Sequence, residues 1–262
     1  MPETIMEEKA VQPEEFGREP VFMMRQILET LLDILYPRHC PVCREIVAYP
    51  GKWVCPRCRE KVHPIREPKC KKCGKPLDQE EREYCHDCQK RGHPYERGLA
   101  LLAYEGWAKE AIYQIKFHNK REYLDFFARE MAKELGREVL TWGAQAIVPV
   151  PLHKKKRRKR GFNQAELLAD KLGTLLEIPV RKDLAERVRY TEAQKELSFR
   201  ERRKNIRGAF RVNAAELDVE KIILVDDIYT TGSTVDEMTE EFQKKGARQV
   251  YFLTICIGRA DY

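Results

Sequence analysis

Short apolar runs rich in β-branched residues alternate along this chain with stretches whose apolar positions recur every three or four residues. The first pattern predicts buried strands and the second predicts amphipathic helices. Residues 97–105 (RGLALLAYE) predict a strand, 107–117 a helix and 121–135 (REYLDFFAREMAKEL) a second helix. Residues 146–150 predict a short buried strand, 164–172 a helix that Gly173 should stop, and 178–182 a further strand. The run 221–224 (KIIL) predicts a strand and 235–245 a helix. Residues 250–257 form a continuous apolar strand that closes the sheet, with Cys256 a core residue rather than a reactive thiol. Strands alternating with helices imply βαβ units and a parallel sheet. Near the start, 21–36 (VFMMRQILETLLDILY) carries apolar residues at helical spacing until Pro37 ends the run. Residues 1–20, rich in Glu and Pro, read as a flexible tail.

Residues 38–93 break this alternation and hold few large apolar residues. Eight of the nine cysteines lie here as four CxxC pairs, Cys40/Cys43, Cys55/Cys58, Cys70/Cys73 and Cys85/Cys88, and the first member of each recurs every 15 residues. A CxxC turn projects two thiolates to one side, and two such turns complete a tetrahedral Cys₄ zinc site. Eight ligands therefore suit two structural Zn²⁺ ions, which would supply most of the folding free energy of so lean a segment. Nearest-neighbour pairing and an interleaved scheme, first pair with third, both satisfy the spacing. A disulfide framework is the competing reading for a secreted chain, and a redox CxxC usually occurs once, beside a βαβ pattern. His39, His63, His86 and His93 lie nearby but read as bystanders, because four cysteines already complete each site. The expected organisation is a tail (1–20), an amphipathic helix (21–37), a double zinc module (38–93) and an α/β domain (94–262).

The chemistry concentrates where the strand 221–224 gives way to the helix 235–245. Between them stand Val225, Asp226, Asp227, Ile228, Tyr229, Thr230, Thr231, Gly232, Ser233 and Thr234. Ligands of open α/β sheets bind outside the carboxyl ends of the strands. A helix N-terminus offers N–H groups to phosphate. Two carboxylates beside such a cradle can accept hydrogen bonds from sugar hydroxyls or hold a hard cation such as Mg²⁺. The plainer alternative is a surface turn in which Ser233 or Thr234 caps a helix. No GxxxxGK[ST] loop and no GxGxxG fingerprint occurs, which weighs against nucleoside triphosphatase and dinucleotide readings.

Two basic segments accompany this loop. Seven consecutive Lys/Arg residues occupy 154–160, just after the strand 146–150. They could hold a polyphosphate, contact nucleic-acid phosphates, or form a solvated charge run. The second segment, 191–205 (TEAQKELSFRERRKN), lies shortly before the acidic pair.

IILVDDIYTTGST resembles the phosphoribosyl pyrophosphate (PRPP) loop of type I phosphoribosyltransferases. That resemblance implies that Asp226 and Asp227 contact the ribose hydroxyls, while Tyr229, Thr230, Thr231, Gly232, Ser233 and Thr234 surround the 5′-phosphate. It places a pyrophosphate-gripping loop over 149–163, with Pro151, Leu152, His153, Arg157, Arg160 and Asn163 as its candidate residues. It places a mobile catalytic loop over 191–205, with Gln194, Arg200, Arg203 and Asn205 as candidate contacts; a plain charged helix over 197–204 is the competing reading. The order of the four CxxC pairs, YEG…IKFHN, VPVPLH…RRKRGFNQA, TEAQKELSFRERRKNIRGAF and VDDIYTTGST is similar to that of the ComF family of competence-associated proteins, over roughly 25–258. The implied fold is α/β: a parallel-sheet, Rossmann-like type I phosphoribosyltransferase domain preceded by a small zinc-ribbon module. The implied function is transfer from Mg²⁺-PRPP to a nitrogen acceptor, linked to single-stranded DNA handling, with helicase or translocase partners. A DNA-binding adaptor that uses the pocket as a sensor or backbone-phosphate site is the alternative, since no base-recognition hood stands out.

Composition narrows these readings. The chain has 262 residues, 42% hydrophobic and 35% charged, enough for a real core under a highly charged surface. Its net charge of +7 favours anionic partners. No apolar run approaches the roughly 20 residues of a membrane span. A cytoplasmic location follows as the expectation, with peripheral contact at the inner face of the membrane compatible with it.

Overall fold

The computed structural model describes residues 37–47, 51–191 and 199–258. The tail and helix expected over 1–36 lie outside the described residues, as does Gln194. Four strands, β1 (Arg97–Ala103), β2 (Ala146–Pro149), β5 (Lys221–Tyr229) and β6 (Gln249–Ile257), form a parallel sheet in the order β1-β6-β5-β2. Helices α3 (Gly106–His118), α4 (Tyr123–Leu140), α5 (Lys154–Arg160), α6 (Gln164–Leu176), α7 (Phe199–Ile206) and α8 (Ser233–Gln243) connect or flank them. Two short helices, α1 (Pro56–Arg59) and α2 (His86–Lys90), belong to the cysteine-rich segment.

Both faces of the sheet are covered, which is why its strands are apolar throughout rather than alternating. Leu99, Leu101, Ile147, Ile223 and Val225 pack with α3, α4 and α6 on one side. Ala100, Val148, Ile222, Leu224 and Phe252 pack with α8 on the other. The cysteine-rich segment contributes to both cores. Cys40, Val54, Cys58 and Val62 join the first, and Cys70, Cys73 and Cys85 join the second. It also occupies the free edge of β1, where Ile65 N donates to Leu101 O and Gly98 N donates to Lys72 O, each at 2.8 Å. An open strand edge is thereby paired.

The structure departs from the sequence pattern at four places. Residues 178–182 form no strand; they make a single parallel bridge, Val180 to Ile147, because Pro179 lacks the N–H that a ladder needs. Gly173 does not end α6, which runs on to Leu176 and stops at Glu177 in the left-handed conformation. Gly173 is instead a packing residue, since a side chain there would lie 2.9 Å from Ile178 O and collide with Val180. The basic stretch 154–160 is the helix α5, not a loop, and His153 caps it by accepting from Lys155 N at 3.2 Å. A two-stranded antiparallel sheet, β3 (Ala185–Arg187) with β4 (Phe210–Val212), was not expected; three-residue strands are too short to display a period of two.

Candidate active site

The acidic pair sits where two strands part. β2 pairs with β5 only as far as Pro149 opposite Val225, and Val150 N closes the ladder on Val225 O at 2.9 Å. Beyond that point β5 keeps only β6 as a neighbour, so Asp226 and Asp227 face a gap between diverging chains, as ligand-binding residues of open α/β sheets do. The gap opens into a cavity of about 730 Å³. Asp226, Asp227 and Thr234 line one side and Pro151, Leu152, Lys156, Arg160 and Gln164 another. α3 closes the third side with Tyr113, Lys116 and Phe117.

The two carboxylates live in different environments. Asp227 is 4% exposed and ion-paired with Lys116, and its Oδ1 accepts from Gln164 Nε2 at 2.8 Å. Burial opposes its ionisation, yet the Lys116 ammonium outweighs burial and holds its pKa below the ordinary value. Asp226 is half-buried at the cavity wall, hemmed in by protein atoms, and accepts from Asp227 N at 2.8 Å. Its pKa is pushed well up, first by burial and then by the charge of Asp227. Arg160 donates to Gln164, which extends the chain of contacts from the basic helix to the dyad. Burial lowers the pKa of Arg160, while the two aspartates pull it back up.

After β5 the chain turns through Thr230 and Thr231 into Gly232, whose φ of 82° is left-handed. Ser233 then opens α8, and its hydroxyl meets that of Thr231 at 3.0 Å. Any side chain at Gly232 would collide with the Tyr229 hydroxyl, so this turn needs glycine for space as well as for φ. Hydroxyls, backbone N–H groups and the N-terminus of an eleven-residue helix thus surround one spot beside the dyad, an arrangement suited to phosphate.

The expected site residues divide. Asp226, Asp227, Thr234, Pro151, Leu152 and Arg160 line the cavity, with Thr230, Thr231, Gly232 and Ser233 in the adjoining turn. The Tyr229 ring points instead into the core, where its hydroxyl meets that of Tyr95 at 2.8 Å. His153 caps α5, and Arg157 pairs with Glu166 at 2.8 Å on the outer face. Asn163 is 1% exposed; it caps α6 and donates to Val150 O at 3.0 Å, so it holds the strand end rather than a ligand. Asn205 lies on α7, where its backbone carbonyl accepts from Arg189 at 2.7 Å, and it is not among the cavity residues. The side chains of Arg200 and Arg203 lie outside the described residues. Lys156, one of the seven cations of 154–160, also lines the cavity, whereas Lys116, Gln164 and Arg187 do so without having been expected. A lysine between Ile115 and Phe117 was the available signal for the first of these three.

The eight cysteines form two groups, Cys40, Cys43, Cys55, Cys58 and Cys70, Cys73, Cys85, Cys88, with all Sγ atoms of each group within 4.8 Å of one another. This is the nearest-neighbour pairing and rules out the interleaved one. Cys43 and Cys55, and likewise Cys73 and Cys85, hold their sulfurs 3.7 Å apart. That matches the edge of a tetrahedron built on Zn–S bonds of about 2.3 Å and far exceeds the roughly 2.05 Å of a disulfide. The two halves repeat each other's backbone: Arg44 N donates to Cys40 O at 2.8 Å, and Gly74 N to Cys70 O at 2.9 Å. No histidine joins either group among the described residues.

Comparison with known proteins agrees with both halves. Residues 31–89 match the model of a double zinc ribbon domain, and 127–262 match that of a phosphoribosyl transferase domain. DNA utilization protein YhgH of Escherichia coli (strain K12) is 33% identical over 177 residues, 66% of this chain and 77% of that protein. Competence protein F of Haemophilus influenzae (strain ATCC 51907 / DSM 11121 / KW20 / Rd) is 31% identical over 176 residues, 64% and 76% of the two chains. The chain belongs to the ComF family. A third ComF relative, competence protein ComFC of Bacillus subtilis (strain 168), is 27% identical over 174 residues, 64% of this chain and 69% of its own. No helix among the described residues of this ComF protein is long and apolar enough to cross a membrane.

Proposed function

We propose that this ComF protein binds Mg²⁺-PRPP above Asp226 and Asp227 and transfers the phosphoribosyl group to a nitrogen acceptor, releasing pyrophosphate, in the cytoplasmic handling of single-stranded DNA. The observation that carries this reading is the coincidence, at one strand end, of a carboxylate dyad and a left-handed glycine turn opening a helix. Asp227, kept ionised by Lys116 and aimed by Gln164, accepts from one ribose hydroxyl; Asp226 accepts from the next. The turn 230–234 and the N-terminus of α8 hold the 5′-phosphate. Arg160 and Lys156 face the same cavity and would balance charge on the departing pyrophosphate as the C1–O bond breaks and the C1–N bond forms. The oxygen donors suit a hard cation, and Mg²⁺ held mainly by PRPP oxygens would neutralise the leaving group.

Exposed cations favour a second reading, an adaptor that grips DNA. Lys154, Lys155, Arg158 and Lys159 are all exposed and are not among the cavity residues. Pyrophosphate release from Mg²⁺-PRPP, measured against a panel of nucleobases, amines and single-stranded DNA, separates the two. Turnover that disappears in Asp226→Ala and Asp227→Ala supports transfer. Absence of turnover with every acceptor, alongside salt-sensitive DNA binding, supports the adaptor.

A further inference from the structure

Beneath the turn 230–234 lies a buried polar layer that the chemistry above does not use. Tyr95 is fully buried, and its hydroxyl meets that of Tyr229, 3% exposed, at 2.8 Å. His93 places Nδ1 at 2.8 and 3.0 Å from the two oxygens of Asp236, in the first turn of α8. The residues that flank the turn 230–234, Tyr229 at the end of β5 and Asp236 in the first turn of α8, are therefore both fastened to residues 93–95. Gly232 rests directly on this layer: a Cβ there would meet the Tyr229 hydroxyl and lie 3.1 Å from His93 Cε1.

Residues 93–95 are themselves fixed by the second zinc ribbon. They follow Cys88 by five residues. Lys72, between the ligands Cys70 and Cys73, sets its Nζ 5.4 Å above the Tyr95 ring, and its carbonyl accepts from Gly98 of β1. His93 stacks on Tyr95 with ring centroids 5.1 Å apart, and Tyr95 meets Phe252 edge-on at 5.0 Å. An apolar contact would pack a ribbon against a sheet with less difficulty. Buried hydroxyls and a buried His–Asp pair cost desolvation, and what they add is one defined geometry. His93 Nε2 is buried with no hydrogen-bond partner among the described residues, so burial of this ring is not explained by a saturated polar network.

We propose that Tyr95 and His93 are positioning residues through which the second zinc ribbon holds residues 229–234 in their anion-binding shape. This inference rests on the PRPP reading and adds to it a role for the ribbon. The zinc module is then part of the sugar-phosphate site, although none of its residues touches the ligand.

Titration calorimetry on the full-length, zinc-loaded protein tests it with three probes, each with Mg²⁺: PRPP, ribose 5-phosphate and inorganic pyrophosphate. Only the first two carry a 5′-phosphate. Tyr95→Phe removes one oxygen, and His93→Leu removes the bond to Asp236. Each should weaken PRPP and ribose 5-phosphate about five- to tenfold, the scale of one lost buried hydrogen bond, and leave pyrophosphate affinity unchanged. His93→Asn, which sets an amide nitrogen near the place of Nδ1, should recover most of the loss. Zinc content should stay at two per chain in every variant. A parallel fall for all three probes, or no fall in any, overturns the proposal. Should His93→Leu fail to fold, Tyr95→Phe carries the test alone. A wild-type protein that binds no PRPP removes the PRPP reading and this inference together; a wild-type protein that binds while Tyr95→Phe is indifferent removes only this one.

Discussion

Asp226 and Asp227 are adjacent in sequence yet oppositely tuned. In the folded protein Asp226 has a raised pKa, so folding favours its neutral form. Below its ordinary value of 3.8 the group is neutral in both states and costs nothing. As pH rises past that value the unfolded chain ionises first, and stability falls until the folded pKa is passed. Asp226→Asn should therefore raise the Tm at pH 7 by about 2–4 °C, the change expected from roughly 1 kcal/mol in a chain of this size, while PRPP turnover disappears. Differential scanning calorimetry beside a pyrophosphate-release assay checks both halves. If the Asp226 carboxylate accepts a ribose hydroxyl as proposed, PRPP affinity should rise with pH through that same raised pKa. Lys116→Met leaves Asp227 buried without its cation. A loss of about 2 kcal/mol should appear in urea denaturation, below the 3–5 kcal/mol typical of fully buried pairs because the Lys116 side chain keeps 21% exposure. The dyad was legible because its motif is contiguous. Lys116 was not, since it stands 111 positions before its partner Asp227 and only folding brings them together.

At the scale of elements, α5 divides its seven cations by helical periodicity. Lys156 and Arg160, four residues apart, share the half-buried face that lines the cavity. Lys154, Lys155, Arg157, Arg158 and Lys159 are exposed, and Arg157 pairs with Glu166, which leaves four outer cations. If the outer four meet DNA phosphates, replacing them with glutamine should reduce the log–log salt slope of oligothymidylate binding by about 3, at roughly 0.7 per phosphate on a single strand. Fluorescence anisotropy at several salt concentrations reads that slope, and an unchanged slope removes this helix from DNA contact. In the sequence these seven residues show only a charge run, because a segment without apolar positions carries no period to read. Residues 178–182 show the converse: an apolar stretch beside a strand reads as a strand, but one proline limits it to a single bridge.

Over the whole molecule, the cysteine-rich segment is not an appendage. Each of the two cores takes in buried cysteines of one Cys₄ group, Cys40 and Cys58 in the first and Cys70, Cys73 and Cys85 in the second, and residues 65 and 72 cap the edge of β1 between them. Two zinc ions per chain should be found by elemental analysis. Removing them with a strong chelator should lower the Tm of the entire α/β body in one cooperative transition, since the metal sites share its packing. Two separate transitions in calorimetry would show instead that the segment folds alone.

What this sequence determines by itself is whatever depends on near neighbours in the chain. The CxxC spacing dictates zinc-ligand turns, the strand–DD–glycine–helix order dictates a left-handed turn and a helix N-terminus beside two carboxylates, and continuous apolar strands dictate a sheet covered on both faces. The tertiary structure decides what depends on distant segments meeting. It chooses nearest-neighbour pairing of the cysteines, sets Lys116 and Gln164 on Asp227, turns Tyr229 toward Tyr95, and joins His93 to Asp236 across 143 positions. Local sequence encodes backbone conformation and ligand geometry. Charge neutralisation and packing at the site come from chain segments whose proximity exists only once the sheet has formed.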